Sequence, residues 1–253
     1  MLYTQTLEKL RALRLDGLAQ ALEEQRRQSN VLQLEFEERL ALLVERQWSW
    51  KENRALAARL KRAQLKFPNA CLEDIDYAAH RGLKRAQIEQ MRAGEWIQHH
   101  RNCLIIGPTG IGKTYLGCAF GVQACRDALR TIYYSAPKLF RALQLAQADG
   151  SLTRLLKIIQ KARLLIIDDL GVAAVGPKQY RDLLEILDDR NGNGSTLITS
   201  QFPVEQWHEI IADPTVADAI LDRLVHNAYR LELKGESLRK TKGNLEAKKA
   251  EAE

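Results

Sequence analysis

The sequence predicts an α/β fold: a five-stranded parallel sheet with flanking helices, preceded by a small all-helical N-terminal domain. Three observations carry that expectation. From Thr4 to about Lys66 apolar residues recur at helical spacing. Beyond Asn102 short β-rich runs alternate with helical ones. Between the first such run and the helix after it lies a glycine-spaced loop, Gly107 to Gly112, that closes in Lys113-Thr114.

Taken in order, Leu7, Leu10, Leu18 and Leu22 mark a first helical stretch, and Leu40, Leu43, Val44, Leu56 and Leu60 a second, so two or three helices are expected. Phe67-Pro68-Asn69 ends this module, because the proline ring disfavours helix in the residue before it. A linker over 67–101 follows, with one short helix from Leu83 to His99. The expected strands are CLII, TIYYS, RLLIID, STLITS and YRLELK. The helices between them run from Gly112 to about Leu129, from Ala136 to about Ala162, from Lys178 to Asp189, and in two stretches before the last strand. Strands separated by helices are joined by crossovers, which makes the sheet parallel and covers both its faces. The expected domains are therefore 1–66, helical; 67–101, linker; 102–239, α/β; and 240–253, a polar tail that frays.

A chain of 253 residues can bury one core of about 150 to 200 residues and carry a smaller attachment. Its 45% hydrophobic and 28% charged residues exclude general disorder. No apolar run approaches the roughly 18 residues of a membrane span, and the opening MLYTQTLEKLRALRL lacks an uninterrupted signal-peptide core, so no membrane association and a cytoplasmic location are expected. Cys71, Cys103, Cys118 and Cys125 form no C-x-x-C pair and read as reduced core residues rather than ligands. The net charge of +6 permits an anionic polymer as partner without demanding one.

Gly107, Pro108, Thr109, Gly110, Ile111, Gly112, Lys113 and Thr114 satisfy the pattern G-x-x-x-x-G-K-S/T. The glycines let the backbone curl so that its N–H groups converge on phosphates, and the helix N-terminus adds positive potential. Lys113 would reach the β and γ phosphates of a nucleotide, and the Thr114 hydroxyl would ligate Mg²⁺. Downstream, Leu164 to Ile167 form an apolar strand that ends in Asp168 and Asp169, the Walker B pattern. Asp168 is the natural partner of hydrated Mg²⁺. Asp169 stands where many P-loop ATPases carry a glutamate that orients the attacking water. The run Asp168 to Gly171 also reads as the D-x-x-G of a GTPase, but no N-K-x-D guanine-reading motif follows. A small-molecule kinase fits less well, because the strand TIYYS lies between the loop and the acids.

LIIGPTGIGKTYLG, LLIIDDLG, STLITSQFPVEQW, DAILDRLVHNA and LKGESLRK together resemble the AAA+ ATPases of the IstB and DnaC type, most closely the IstB family of transposition helper ATPases. LRALRLDGLAQALEEQ resembles the opening of that family too, so the likeness covers nearly the whole chain. It implies a P-loop AAA+ domain without a C-terminal lid domain, since only 14 residues follow Arg239. The implied cofactors are ATP and Mg²⁺. The implied assembly is a homo-oligomer with shared ATP sites on duplex DNA, bound without sequence preference, in the service of a cognate transposase. Carried over by residue, the resemblance gives sensor-type contacts to Thr199, Ser200 and Gln201, where the family usually has asparagine in place of Gln201. It makes Arg223 an arginine finger inserted into a neighbouring subunit's site, and Arg239 a further basic residue near the nucleotide. A DnaC-like helicase loader acting in replication is the alternative.

For DNA, 51–66 holds six basic residues, Lys51, Arg54, Arg59, Lys61, Arg62 and Lys66, against one acid, Glu52. Basic side chains on one helix face neutralise phosphates and release counterions without reading sequence. A solvated charged helix with Trp48 and Trp50 in a small core explains the same spacing, and the resemblance is what favours DNA. Arg81, Lys84, Arg85, Arg92 and Arg101 form a second basic cluster, and the adjacent His99-His100 lack metal-ligand spacing.

Overall fold

The computed structural model describes residues 2–28, 30–77, 81–172, 175–211 and 213–238. Arg239 and the tail 240–253 lie outside the described residues. The chain divides into two units, Met1–Ala58 and Arg59–Glu253.

The first unit holds α1 (Leu2–Ala12), α2 (Asp16–Arg27), a 3-10 turn at Val31–Gln33, and most of α3 (Phe36–Ala63). Gly17 on α2 makes room for Trp50: a Cβ there would stand 2.7 Å from the Trp50 Cβ. Two side-chain amides tie α2 to α3, with Gln47 Oε1 accepting the Leu18 N–H at 3.0 Å and Gln25 Nε2 donating to Arg39 O at 2.9 Å. Arg11–Glu23 and Arg46–Glu24 bridge the helices at 2.8 and 3.1 Å, but such exposed pairs contribute about 0–1 kcal/mol each. Packing of Trp50 over Gly17 and the buried Leu7, Ala19 and Ala21 therefore dominates this unit.

The second unit contains α4 (Arg85–Arg92), α5 (Glu95–Gln98), β1 (Asn102–Ile106), α6 (Lys113–Arg126), β2 (Thr131–Ser135), α7 (Ala136–Ala148) and α8 (Leu152–Gln160). There follow β3 (Leu164–Leu170), α9 (Pro177–Arg190), β4 (Ser195–Ser200), α10 (Trp207–Ile211), α11 (Pro214–Val225) and β5 (Ala228–Glu232). The five strands pair in parallel in the order β2-β3-β4-β1-β5. β1 and β4 are neighbours whose onward connections leave in opposite directions, one to β2 and the other past β1 to β5. Such a switch point opens a crevice at the carboxyl ends of the strands, where open α/β sheets bind ligands.

The central strands are buried on both faces, as the crossovers require: Cys103, Leu104 and Ile105 of β1 and Leu164 to Ile167 of β3 have no exposed surface, and β4 buries Ser195, Thr196, Thr199 and Ser200 beside Leu197 and Ile198. On one face α6 lies close because Gly117 and Gly121, one turn apart, carry no side chain. A Cβ on Gly121 would meet Ile166 Cδ1 and Leu65 Cδ2 at 2.8 Å. On the other face Leu139, Phe140 and Leu143 of α7, Leu183 and Leu187 of α9, and Ile220 and Leu224 of α11 close the core. Arg190, 2% exposed, donates to Thr196 Oγ1 and to the carbonyls of Ile159, Ala162 and Ser195, and burial pulls its pKa down to about 10. A buried guanidinium needs all these acceptors, and by gathering them it joins the ends of α8 and α9 to the start of β4.

The segment 67–101, which the composition marks as a linker, contributes Ala70, Leu72, Ile75, Ile88, Met91, Trp96 and Ile97 to buried positions. Trp96 packs edge-on against Phe120 with centroids 6.0 Å apart, and its indole donates to Met91 O at 3.0 Å. The helix expected over Leu83 to His99 is two, α4 and α5, divided at Gly94, whose φ of +75° is a left-handed conformation that ends a helix. α3 is one helix of 28 residues, and its last turn, from Arg59, belongs to the second unit, where Ala63 is fully buried.

Candidate nucleotide site

β1 delivers the chain to the crevice and the glycine loop carries it into α6. Gly107, Gly110 and Gly112 have φ of +154°, +81° and +101°, in the region that favours glycine. Close approach adds to the demand: a Cβ at Gly107 would lie 2.4 Å from Leu233 O, and one at Gly110 only 2.1 Å from Ser237 Oγ. The chain after β5 is held there by Leu233 N–H to Ile106 O at 2.7 Å and Leu238 N–H to Gly110 O at 3.1 Å. The loop ends at the first turn of α6, whose N–H groups have no partners within the helix and so attract an anion.

Lys113 is 5% exposed, and its Nζ donates to Gly107 O at 2.8 Å and Pro108 O at 2.9 Å. Burial lowers its pKa, and the carboxylates of Asp169 and Asp168 oppose that shift. Asp168 is fully buried. Its Oδ1 accepts hydroxyls from Thr114 at 3.0 Å and Thr199 at 2.6 Å, and its Oδ2 accepts the Tyr133 hydroxyl at 2.7 Å. A register shift between Ile167 and Leu170 puts Asp169 at φ +60°, and its N–H donates to Thr199 Oγ1 at 2.9 Å. The bulge turns the second acid toward the crevice while the first stays in the sheet.

The crevice is a cavity of about 620 Å³, within the range that takes a cofactor-sized ligand. Thr109, Gly110, Gly112, Lys113, Thr114, Asp169 and Gln201 line one part. Lys66, Phe67, Asp74, Ile75, Asp76, Arg81, Leu83, Tyr115, Leu116, Leu233 and Leu238 line the rest. Phe67 and Tyr115 form a tilted pair with centroids 6.1 Å apart. Arg81 donates from one guanidinium nitrogen to Ile111 O at 3.4 Å and from the other to Asp76 O, while its buried Nε has no hydrogen-bond partner among the described residues. Thr114 and Asp168 together offer hard oxygen donors beside the phosphate loop, a donor set that suits Mg²⁺ completed by nucleotide phosphates and water.

The model of the IstB-like ATP binding proteins matches residues 8–246. The chain belongs to that family. Among its relatives, the insertion sequence ATP-binding protein y4pL of Sinorhizobium fredii is 50% identical over 240 residues, which cover 95% of this chain and 98% of the relative. The ATP-binding protein of insertion sequence IS1162 from Pseudomonas fluorescens is 43% identical over 203 residues, 80% of this chain and 88% of that one. Among solved structures, AMPPCP-bound DnaA from Aquifex aeolicus superposes with a TM-score of 0.56 at 19% identity, over 73% of this chain and 56% of that one. The DnaC helicase loader does so at 0.52 and 20%, over 66% of this chain and 97% of that one. The fold is thus that of the P-loop AAA+ ATPases, five parallel strands with flanking helices.

In this IstB-like chain the sensor-type candidates separate. Gln201 lines the cavity, whereas Thr199 is buried and binds Asp168. Ser200 is also buried, donating to Leu170 O at 2.9 Å and accepting the Phe202 N–H at 3.2 Å. Arg223 sits on α11, a helix started by Pro214 and capped by Asp213, whose carboxylate accepts the Val216 N–H at 3.3 Å. The Arg223 guanidinium pairs with Asp188 of α9, lies 3.8 Å from Asp222 and donates to Ala219 O, so it is engaged within its own chain.

The six basic candidates for DNA divide likewise. Lys51, Arg54, Lys61, Arg62 and Lys66 are exposed, although Arg54 also lies over the Trp50 ring at 5.0 Å. Arg59 is half-buried and donates through Nε to Cys125 O at 2.8 Å, which satisfies a carbonyl at the end of α6. Lys66 lines the nucleotide cavity. All four cysteines are free thiols, and burial pushes Cys118 up to about 11. No helix among the described residues is long and apolar enough to cross a membrane.

Proposed function

We propose that this IstB-like protein is a Mg²⁺-dependent ATPase that assembles on duplex DNA and assists a transposase in moving an insertion sequence. The observation that carries the reading is the join of the glycine loop to the buried acid, Thr114 to Asp168, at the mouth of a nucleotide-sized cavity. Relatives described as insertion sequence ATP-binding proteins, similar over nearly the whole chain, support its direction toward transposition.

In this reading the loop N–H groups and the first turn of α6 hold the phosphates. Lys113 exchanges the carbonyls of Gly107 and Pro108 for phosphate oxygens. Thr114 and Asp168 hold Mg²⁺, which neutralises charge on the β and γ phosphates when bound. Asp169 and Gln201 face the same space and orient the attacking water. Arg223 acts on a neighbouring copy, where its charge stabilises the phosphoryl group in the transition state. To reach that copy it must leave Asp188. Lys51, Arg54, Lys61 and Arg62 meet the DNA backbone, a contact that salt weakens.

The test is ATP-dependent gel shift of duplex and single-stranded DNA, with hydrolysis followed in parallel. Retention of duplex with ATP, and faster hydrolysis on duplex than off it, are the expected results. Preference for single strands together with co-purification of a helicase would instead support a helicase loader, and absence of nucleotide binding would remove the ATPase assignment.

A further inference from the structure

The acid of the second phosphate-site motif is held from a strand that neither motif includes. Tyr133 lies on β2, which pairs with β3 so that Tyr133 is opposite Ile166 and Ser135 opposite Asp168. The ring is 9% exposed, and its hydroxyl donates to Asp168 Oδ2 at 2.7 Å. Thr114 and Thr199 both donate to the other oxygen, Oδ1. The two oxygens therefore differ in duty. Oδ1 lies beside the Thr114 hydroxyl, whose lone pairs stay available to a cation while its O–H donates to Oδ1 at 3.0 Å. Oδ2 is turned toward the edge strand, and the tyrosine is its hydrogen-bond donor.

We propose that Tyr133 is a positioning residue for the metal: by holding Oδ2 it fixes the rotation of the Asp168 carboxylate and so aims Oδ1 at the place beside Thr114 where Mg²⁺ binds with the nucleotide. The proposal rests on the reading of Thr114 and Asp168 as the metal-holding pair and deepens it. Without the hydroxyl both remaining donors act on one oxygen, and Oδ2 is left as an unpaired oxygen of a buried ion. The carboxylate then turns to share those donors, and Oδ1 moves. Partners behind a metal ligand typically matter by about 10- to 100-fold in metal affinity, because they orient the ligand rather than touch the ion.

The experiment uses the full chain, a fluorescent ATP analogue and a Mg²⁺ titration, with wild type, Tyr133→Phe and Asp168→Asn compared. Phenylalanine keeps the buried ring and removes only the hydroxyl. The expected result is a rise of about tenfold or more in the Mg²⁺ concentration that half-saturates the metal-dependent gain in nucleotide affinity. Affinity in EDTA should stay at the wild-type value, while the melting temperature falls by the modest amount that one lost buried hydrogen bond costs. A Tyr133→Phe protein with the wild-type Mg²⁺ midpoint, while Asp168→Asn moves it, would overturn the proposal and leave the metal site standing. Equal loss of affinity with and without Mg²⁺ would also overturn it, since the tyrosine would then be a packing residue. A wild type whose affinity ignores Mg²⁺, with Asp168→Asn unchanged, would overturn the metal reading itself and the proposal with it.

Discussion

The two ends of the nucleotide cavity are built in opposite ways. At the phosphate end positions are pinned by backbone and buried hydrogen bonds: the loop from Gly107 to Gly112 crosses Leu233 and Ser237 at distances only glycine allows, and Asp168 is fully buried beneath three hydroxyls. At the other end Phe67, Ile75 and Leu83 come from segments outside helix and strand and present side chains. In the proposed reading, the difference teaches that holding phosphate is written into backbone geometry, while the fit around the rest of the nucleotide rests on side chains that can be exchanged one at a time.

Substitutions at the two ends test that contrast. The largest effect is expected at Lys113→Ala, which removes two or more charge-assisted hydrogen bonds and should lower ATP affinity about 100-fold, read by fluorescent-nucleotide binding. Unchanged affinity would mean that phosphates do not bind at the loop. Arg81→Ala should cost about tenfold, because its guanidinium lies against the loop with a buried Nε left unpaired. Comparing ATP, ADP and AMP would then show which phosphate it meets, and no change would exclude it from the site. Phe67→Leu should cost about two- to fivefold and equally for ATP and ADP, since it alters only apolar contact beside Tyr115. An effect larger than that of Lys113→Ala would reverse the contrast.

The same contrast marks what could be read from the sequence. The loop, Asp168 and the order of strands and helices follow local patterns, in which a motif's spacing and a strand's apolar run are contiguous in the chain. Tyr133, Arg81 and the place of Lys66 in the cavity were hidden because each depends on which elements become neighbours. TIYYS reads as a strand, but only the order β2-β3-β4-β1-β5 puts Tyr133 beside Asp168. Lys66 and Arg59 are counted in a basic run, yet one lines the cavity and the other bonds the end of α6, contacts that charge spacing cannot reveal. The linker expectation for 67–101 fails to register its buried residues because they are scattered among polar ones and lack a helix or strand period over most of its length.

Arg223 pairs with Asp188 and is not among the described residues that line the cavity, so in the proposed reading it acts on a neighbouring copy. Its assignment to a neighbouring site is the central claim, and mixing two inactive variants tests it most directly. Arg223→Ala keeps a complete cavity but offers no finger, and Lys113→Ala offers a finger but holds ATP poorly. Each alone on duplex DNA should hydrolyse ATP slowly. Mixed, they should recover a substantial share of wild-type turnover, because intact cavities then meet intact arginines. Full turnover by Arg223→Ala alone, or no recovery in the mixture while both variants still bind DNA together, would contradict a site shared between copies.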